Sequence, residues 1–222
     1  MSTLAAPLAL IDRLAAIPYT GAVADVLDEM GFPRQVLPHS IRSLVDGWKL
    51  AGRALTILGR ASEKSDPDEV FPPLLTMLGD VKPGDVLVSR PNDDVAAHLG
   101  ELSAETAKYR GARGAVIDGG ARDTDYILRL GFPVFCRYTT PKDILGRWEL
   151  EAYNVPITIG DVRIEPGDFV LGDRDGVVII PAAIAEEVIA KAEEIVSTEN
   201  LVRKAILNGV HPLEAYRRYG RF

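Results

Sequence analysis

The sequence predicts an α/β fold carrying an added β-rich layer, on three observations. Strand-like and helix-like runs alternate over residues 86–137, which suits βαβ crossovers above a parallel sheet. Beyond Pro156 the pattern changes to short apolar runs separated by turn signals at Gly160-Asp161, Glu165-Pro166-Gly167 and Asp175-Gly176. A long amphipathic run over residues 182–207 then closes the fold, with a short helix over 212–219 behind it.

Two short helices open the chain, over residues 8–16 and 21–30, with Thr20 as the N-cap of the second and Gly31 as its stop. Residues 36–60 read as extended, and Ala54-Leu55-Thr56-Ile57-Leu58 is the strongest strand. Residues 68–78 form a helical pattern that Pro72-Pro73 interrupt, because an interior proline removes a donor and crowds the preceding turn. Lys82-Pro83-Gly84-Asp85 is a turn, followed by a buried strand over 86–88. Helix over 100–110, strand over 114–118, helix over 123–130 and strand over 133–137 complete the alternation. Four short strands follow, at 157–159, 162–164, 168–171 and 177–180.

A chain of 222 residues is long enough for one domain, 1–222, with a sizeable core. Its net charge of −7 repels a phosphate backbone, and the one basic cluster, Arg217, Arg218 and Arg221, is too small to reverse that. No nucleic-acid partner is expected. The single cysteine, Cys136, excludes an internal disulfide framework and reads as a buried, inert thiol. Asp12 and Arg13 interrupt the apolar N-terminal stretch, which lacks the basic start of a signal peptide. No uncharged run reaches the roughly 18 residues of a membrane span. The expected location is the cytoplasm, without a membrane partner.

The chemistry centres on Asp118-Gly119-Gly120-Ala121-Arg122-Asp123, where a buried strand is expected to end at Asp118 and a glycine loop to lead into a helix. Ligands of open α/β sheets sit beyond the carboxyl ends of strands, and the glycines would let one approach the backbone. Arg122 offers a planar fork for a carboxylate and Asp123 a hard oxygen ligand. The plainer reading makes Asp123 a helix cap and Arg122 half of a surface ion pair. A second element, Ala97-His98-Leu99-Gly100-Glu101-Leu102-Ser103, also enters a helix, whose first N–H groups can hold an anion or a developing enolate oxygen. A third oddity is Glu199, which falls inside the apolar arc of the long helix formed by Ile184, Val188, Ala192, Ile195, Val196, Val202 and Ile206. Either it pairs with Arg203 at i,i+4, or the helix presents it to a neighbouring subunit. His39, His98 and His211 are too scattered for a zinc site, and the sequence carries no Walker, dinucleotide or serine-nucleophile motif.

Three blocks, Gly100-Glu101-Leu102, the run from Gly114 through Asp118-Gly119-Gly120-Ala121-Arg122-Asp123, and Gly172-Asp173-Arg174-Asp175-Gly176-Val177-Val178-Ile179-Ile180-Pro181, resemble the RraA-like family. That family includes 4-hydroxy-4-methyl-2-oxoglutarate/4-carboxy-4-hydroxy-2-oxoadipate aldolases and the regulator of ribonuclease activity A. The likeness runs from about Thr20 to the end of the chain. It implies a β/β/α swivelling fold with a central sheet, flanking helices and a β-rich C-terminal layer, assembled as homotrimers or homohexamers with sites at subunit interfaces.

The resemblance also implies roles. Asp123 would hold Mg²⁺ (or Mn²⁺), Glu101 would touch the water around it, and Arg122 would bind the pyruvoyl part of a small 2-oxo acid. The loop at Gly100, with the amides of Leu102 and Ser103, would meet the substrate carboxylate or enolate, and Glu199 would act from an adjacent subunit. The implied activity is metal-dependent cleavage of a 4-hydroxy-2-oxo acid to pyruvate through a metal-stabilised enolate, with oxaloacetate decarboxylation as a companion. The alternative is a non-catalytic regulator that binds a ribonuclease; such relatives can lack the Arg-Asp pair present here. One departure stands out: Tyr126 occupies the place where the aldolases favour an acid, with Asp125 one residue earlier.

Overall fold

The computed structural model describes residues 5–222. Its helices are α1 (Ala5–Ala16), α2 (Thr20–Glu29), α3 (Pro67–Gly79), α4 (Glu101–Tyr109), α5 (Thr124–Leu130), α6 (Ala185–Leu207) and α7 (Pro212–Tyr219). Its strands are β1 (Arg42–Ser43), β2 (Leu50–Ala61), β3 (Asp85–Arg90), β4 (Ala97–Leu99), β5 (Gly114–Ala121), β6 (Val134–Thr139), β7 (Trp148–Tyr153), β8 (Ile157–Ile159), β9 (Val162–Ile164), β10 (Phe169–Gly172) and β11 (Val177–Ile180).

The main sheet follows the order β1-β6-β5-β3-β2-β10-β11, and β2, β3, β5 and β6 run parallel as the alternation predicts. Successive residues of these strands face opposite ways, and both faces are apolar because both are covered. Leu55, Ile57, Leu87, Ala115, Ile117 and Val134 pack under α3, α4 and α5 together with Met77, Ala104, Ala107 and Ile127. On the opposite face Ala54, Val86, Val88, Val116 and Phe135 meet the β8–β9 hairpin through Ile157, Ile159, Val162 and Ile164. Hairpin, sheet and helices thus form the expected β/β/α layers. At the far edge, α1, α2 and α6 close over Leu171, Val178 and Ile180. Cys136 is buried, and burial raises its thiol to about 11, in keeping with an inert side chain. Among the described residues, no helix is long and apolar enough to cross a membrane.

Several elements differ from expectation. Thr20 is the first residue of α2, not its cap: its N–H and hydroxyl both donate to Asp173, at 2.7 and 2.9 Å. The cap therefore arrives from a turn distant in sequence, where Asp173 also accepts the Asp175 N–H at 2.9 Å. Helix α3 runs unbroken through Pro72-Pro73. Both prolines are exposed, so the carbonyls they leave unpaired lie toward solvent while Val70, Met77 and Leu78 anchor the inner face. Strand β5 continues through Gly119-Gly120 to Ala121, and the expected glycine loop is absent. Strand β7 was not expected; it takes the outer half of one edge of β2, along Ile57–Ala61, while β10 takes Leu50–Arg53.

Strand β7 also delivers Trp148, almost wholly buried, against Gly59, where any Cβ would overlap the indole ring. The indole N–H donates to the Pro91 carbonyl at 3.0 Å. Trp148→Ala is expected to cost about 3–5 kcal/mol, read as a lowered urea midpoint with an unchanged m-value.

Candidate active site

Strands β4 and β5 pair in parallel, with Ala97 opposite Gly120 and Leu99 opposite Ala121. Their carboxyl ends therefore coincide, and each runs straight into a helix. This pairing brings residues 100–103 beside Arg122 and Asp123, and the Arg122 N–H donates to the Leu99 carbonyl at 2.9 Å. The resulting cleft, of about 220 Å³, is lined by Gly100, Glu101, Leu102, Ser103, Arg122 and Asp123, with Asp143, His98, Phe71, Leu74 and Ile144.

Asp123 stands in the N-cap position of α5 yet makes no side-chain capping bond. Its backbone is left-handed, φ 56°. For a residue other than glycine that conformation costs about 1 kcal/mol or more. The twist turns its carboxylate across to α4, where Oδ2 accepts the Glu101 N–H at 3.2 Å and lies 3.5 Å from Arg122 Nε. Gly100 leaves the space for this: a Cβ there would fall 2.7 Å from Asp123 Oδ2 and 3.2 Å from Arg122 Nε. Arg122 is gripped from its other side by Asp143, Nη1 to Oδ2 3.1 Å. Asp143 is held in turn by the Ile144 N–H at 2.5 Å. The N–H groups of Leu102 and Ser103 lie in the first turn of α4, where helix geometry supplies no acceptor.

Gly119 and Gly120 serve packing and not ligand approach. A Cβ on Gly119 would sit 2.6 Å from His98 Nδ1, and one on Gly120 would strike the Tyr138 ring and lie 2.7 Å from the Ala96 carbonyl. His98, whose side chain is 1% exposed, accepts the Gly120 N–H on Nδ1 at 3.2 Å. Its ring proton is therefore on Nε2, which faces Asp93 Oδ2 at 3.1 Å. Burial lowers the imidazole to about 4, which the Asp93 contact only partly offsets. A depressed histidine contributes stability that is present above its unfolded value near 6.5 and lost as pH falls toward 4, because only the unfolded chain takes up the proton there. The loss expected across that window is about 3 kcal/mol. Urea titrations from pH 7 to 4.5 should show it, and His98→Gln, which cannot take up the proton, should show a flatter slope.

Glu199 is not brought to this cleft within one chain. It lies on α6 beside a groove lined by Val202, Arg203, Ile206, Leu207 and Phe222, and its carboxylate accepts the Tyr19 hydroxyl. Burial and that carboxylate push the Tyr19 hydroxyl up to about 12. The i,i+4 pair with Arg203 does not form; Arg203 Nη1 donates to Asn200 at 2.5 Å instead. Tyr126 does not line the cleft, and Arg129 stacks over its ring at 4.3 Å. Asp143, Phe71, Leu74 and Ile144 were not foreseen as site residues, because they come from segments with no spacing relation to the Arg-Asp pair; His98 lies in the second element, where it was given no role of its own.

Among the described residues, no group of three or more His, Cys, Asp or Glu could hold a metal ion. A single carboxylate still suits Mg²⁺, which keeps several waters and takes only one or two protein oxygens. Asp123 fits that use: its side chain is 42% exposed, and its contacts with the Glu101 N–H and Arg122 Nε both fall on Oδ2.

The RraA-like family, described as Aldolase/RraA, matches residues 20–179, a span containing every lining residue of the cleft. A Halalkalibacterium halodurans protein provisionally named 4-hydroxy-4-methyl-2-oxoglutarate aldolase is 32% identical over 211 residues, covering 93% of this chain and 92% of its own length. Two further relatives are matched over only 52% and 30% of their lengths. A crystal structure described under novel cellulases from microbes associated with the gut ecosystem is 36% identical, with a TM-score of 0.83 over 90% of this chain and 89% of that one. Streptomyces coelicolor RraAS2, described as an unusual member of the RNase ES inhibitor RraA protein family, is 30% identical, with a TM-score of 0.78 over 88% and 96%. With the family matched over residues 20–179 and a relative similar over nearly its whole length, the chain belongs to the RraA-like family.

Proposed function

We propose that this protein is a divalent-metal-dependent lyase that cleaves a 4-hydroxy-2-oxo acid to pyruvate, with oxaloacetate decarboxylation as a side activity. The observation that carries the reading is the convergence, in one small cleft, of the Arg122 guanidinium, the Asp123 carboxylate and the first-turn amides of Leu102 and Ser103 in α4. The name of the Halalkalibacterium relative supports the same class of reaction.

In this scheme Asp123 would hold Mg²⁺ or Mn²⁺, which would supply Lewis-acid polarisation of the 2-oxo group when bound. Arg122, its plane fixed by Asp123 and Asp143, binds the substrate's C1 carboxylate. Glu101 accepts the proton of the C4 hydroxyl through an ordered water. The C3–C4 bond breaks, its electron pair moves toward C2, and the distal fragment leaves as a carbonyl compound. The amides of Leu102 and Ser103 stabilise the enolate oxygen. Protonation at C3 yields pyruvate. Oxaloacetate reaches the same enolate by losing CO₂.

An assembly of three or six copies completes the scheme, with Glu199 supplied to the cleft by an adjacent copy. What supports it is the placement of Glu199 away from its own cleft, beside exposed Leu207 and Phe222. Cellulose hydrolysis fits less well. A glycosidase keeps one of two carboxyls protonated in an apolar setting, whereas Asp123 and Asp143 both lie against one guanidinium.

The test is pyruvate release by the purified protein from 4-hydroxy-2-oxo acids and oxaloacetate, alongside a ribonuclease-inhibition assay. Release above the metal-only background supports the lyase. No release together with inhibition of a ribonuclease would replace it with the regulator reading.

A further inference from the structure

We infer that Tyr19 is a positioning residue, whose hydroxyl sets the Glu199 carboxylate for use in the cleft of an adjacent copy. This rests on the lyase reading and on the assembly that completes it. Glu199 sits within the apolar arc of α6, between buried Ile195 and Val202. A glutamate there has three side-chain torsions to settle, and the cation at i,i+4, Arg203, is turned to Asn200 instead. The Tyr19 hydroxyl takes over that place and donates to Oε2 of Glu199. Pushed up to about 12, the hydroxyl keeps its proton and stays a donor across the neutral range. Exposed Leu207 and Phe222 line the same groove, so apolar surface that a second copy could cover flanks the oriented carboxylate.

Tyr19 is itself held from two sides. Its ring packs on the apolar cluster that joins α1, α2 and α6. Its backbone is the N-cap of α2, and the next residue anchors it: Thr20 gives its N–H and its hydroxyl to Asp173, at 2.7 and 2.9 Å. Asp173 belongs to the 172–181 block, which contributes nothing to the lining of the cleft. That block acquires a task at a distance, because through Thr20 it fixes the corner from which Tyr19 reaches Glu199. A bond that merely tied α2 to α6 would matter to its own copy alone. A positioning bond acts through Glu199 and is felt in the neighbouring cleft.

Tyr19→Phe removes the donor and keeps the ring. It should lower kcat/KM for pyruvate release by about tenfold, the scale on which outer partners of a metal shell act, with little change in melting temperature. In a Glu199→Gln background the same change should cost nothing further. The decisive arm is a mixed assembly, co-expressed from Tyr19→Phe and Arg122→Lys copies carrying different tags. The first copy supplies an intact cleft and the second an intact Tyr19–Glu199 pair, so pyruvate release should exceed the mean of the two parents. Undiminished release by Tyr19→Phe, a loss that adds to that of Glu199→Gln, no mixed assembly, or a mixed assembly no better than its parents would overturn the inference. If the unaltered protein releases no pyruvate, the lyase reading falls, and calorimetry of pyruvate binding with Mg²⁺ decides the role of Tyr19 by itself. Weaker binding in Tyr19→Phe, with no further weakening when Glu199→Gln is already present, would leave the assignment standing. No binding by the unaltered protein, or binding that Tyr19→Phe leaves unchanged, would sink it.

Discussion

Asp123→Asn is expected to lower pyruvate release by at least about 100-fold while leaving the melting temperature within a few degrees of the unaltered protein. The two halves of that expectation have separate causes. Even partners of metal ligands typically cost 10–100-fold when changed, and Asp123 is the one carboxylate that the proposed ion would use directly. The fold should survive because asparagine tolerates the left-handed conformation at φ 56° and its side-chain oxygen can still accept the Glu101 N–H. Asp123→Gly sharpens the point. Glycine adopts that conformation without strain but gives up the bond to the Glu101 N–H and loosens the unfolded chain, so this variant should stay within about 1 kcal/mol in urea titrations and lose activity equally. A residue kept in a strained conformation at a cost to stability is what a functional position looks like. Full turnover by Asp123→Asn would remove the metal assignment.

Gly100→Ala is expected to cost about 100-fold in kcat/KM, with kcat affected along with KM. The added methyl would sit 2.7 Å from Asp123 Oδ2 and 3.2 Å from Arg122 Nε, so both groups must move by several tenths of an ångström. Displacements of about 1 Å in a positioned group are enough for losses of this size. Gly100 is an N-cap with φ −122°, a conformation open to any residue, so the stability lost should stay near the roughly 1 kcal/mol by which alanine is the poorer cap. Near-normal activity in Gly100→Ala would mean that the Asp123–Arg122 geometry is not the reacting one.

The parallel core was legible because its strands are buried on both faces and so read as near-continuous apolar runs between turn signals. Strand β7 goes unread although Trp148-Glu149-Leu150-Glu151 alternates apolar and acidic residues between Gly146 and Asn154, a legible strand pattern; Glu149 is held there by Arg60 and Lys64 from elsewhere in the chain. The Asp173 cap on Thr20 spans 153 positions, a distance at which local capping rules have no reach. Gly119-Gly120 suggested a loop, since nothing local tells that His98 and Tyr138 will fill the space beside a strand. The cleft was partly legible for a related reason. Gly100 to Ser103 and Arg122-Asp123 are short contiguous stretches at helix starts, where residue type alone hints at chemistry. Phe71, Leu74 and Asp143 become site residues only when α3 and the loop before β7 fold over the ends of β4 and β5. Those residues complete the lining and hold the arginine, so that side of the cleft was the less readable part.

The most direct test of the central claim is pyruvate production from 4-hydroxy-2-oxo acids by one preparation assayed with Mg²⁺, with EDTA, and with EDTA followed by excess Mg²⁺. The account predicts release above the metal-only background that EDTA abolishes and Mg²⁺ restores. Release that is undiminished in EDTA, or no release from any of these acids with the metal present, would contradict it.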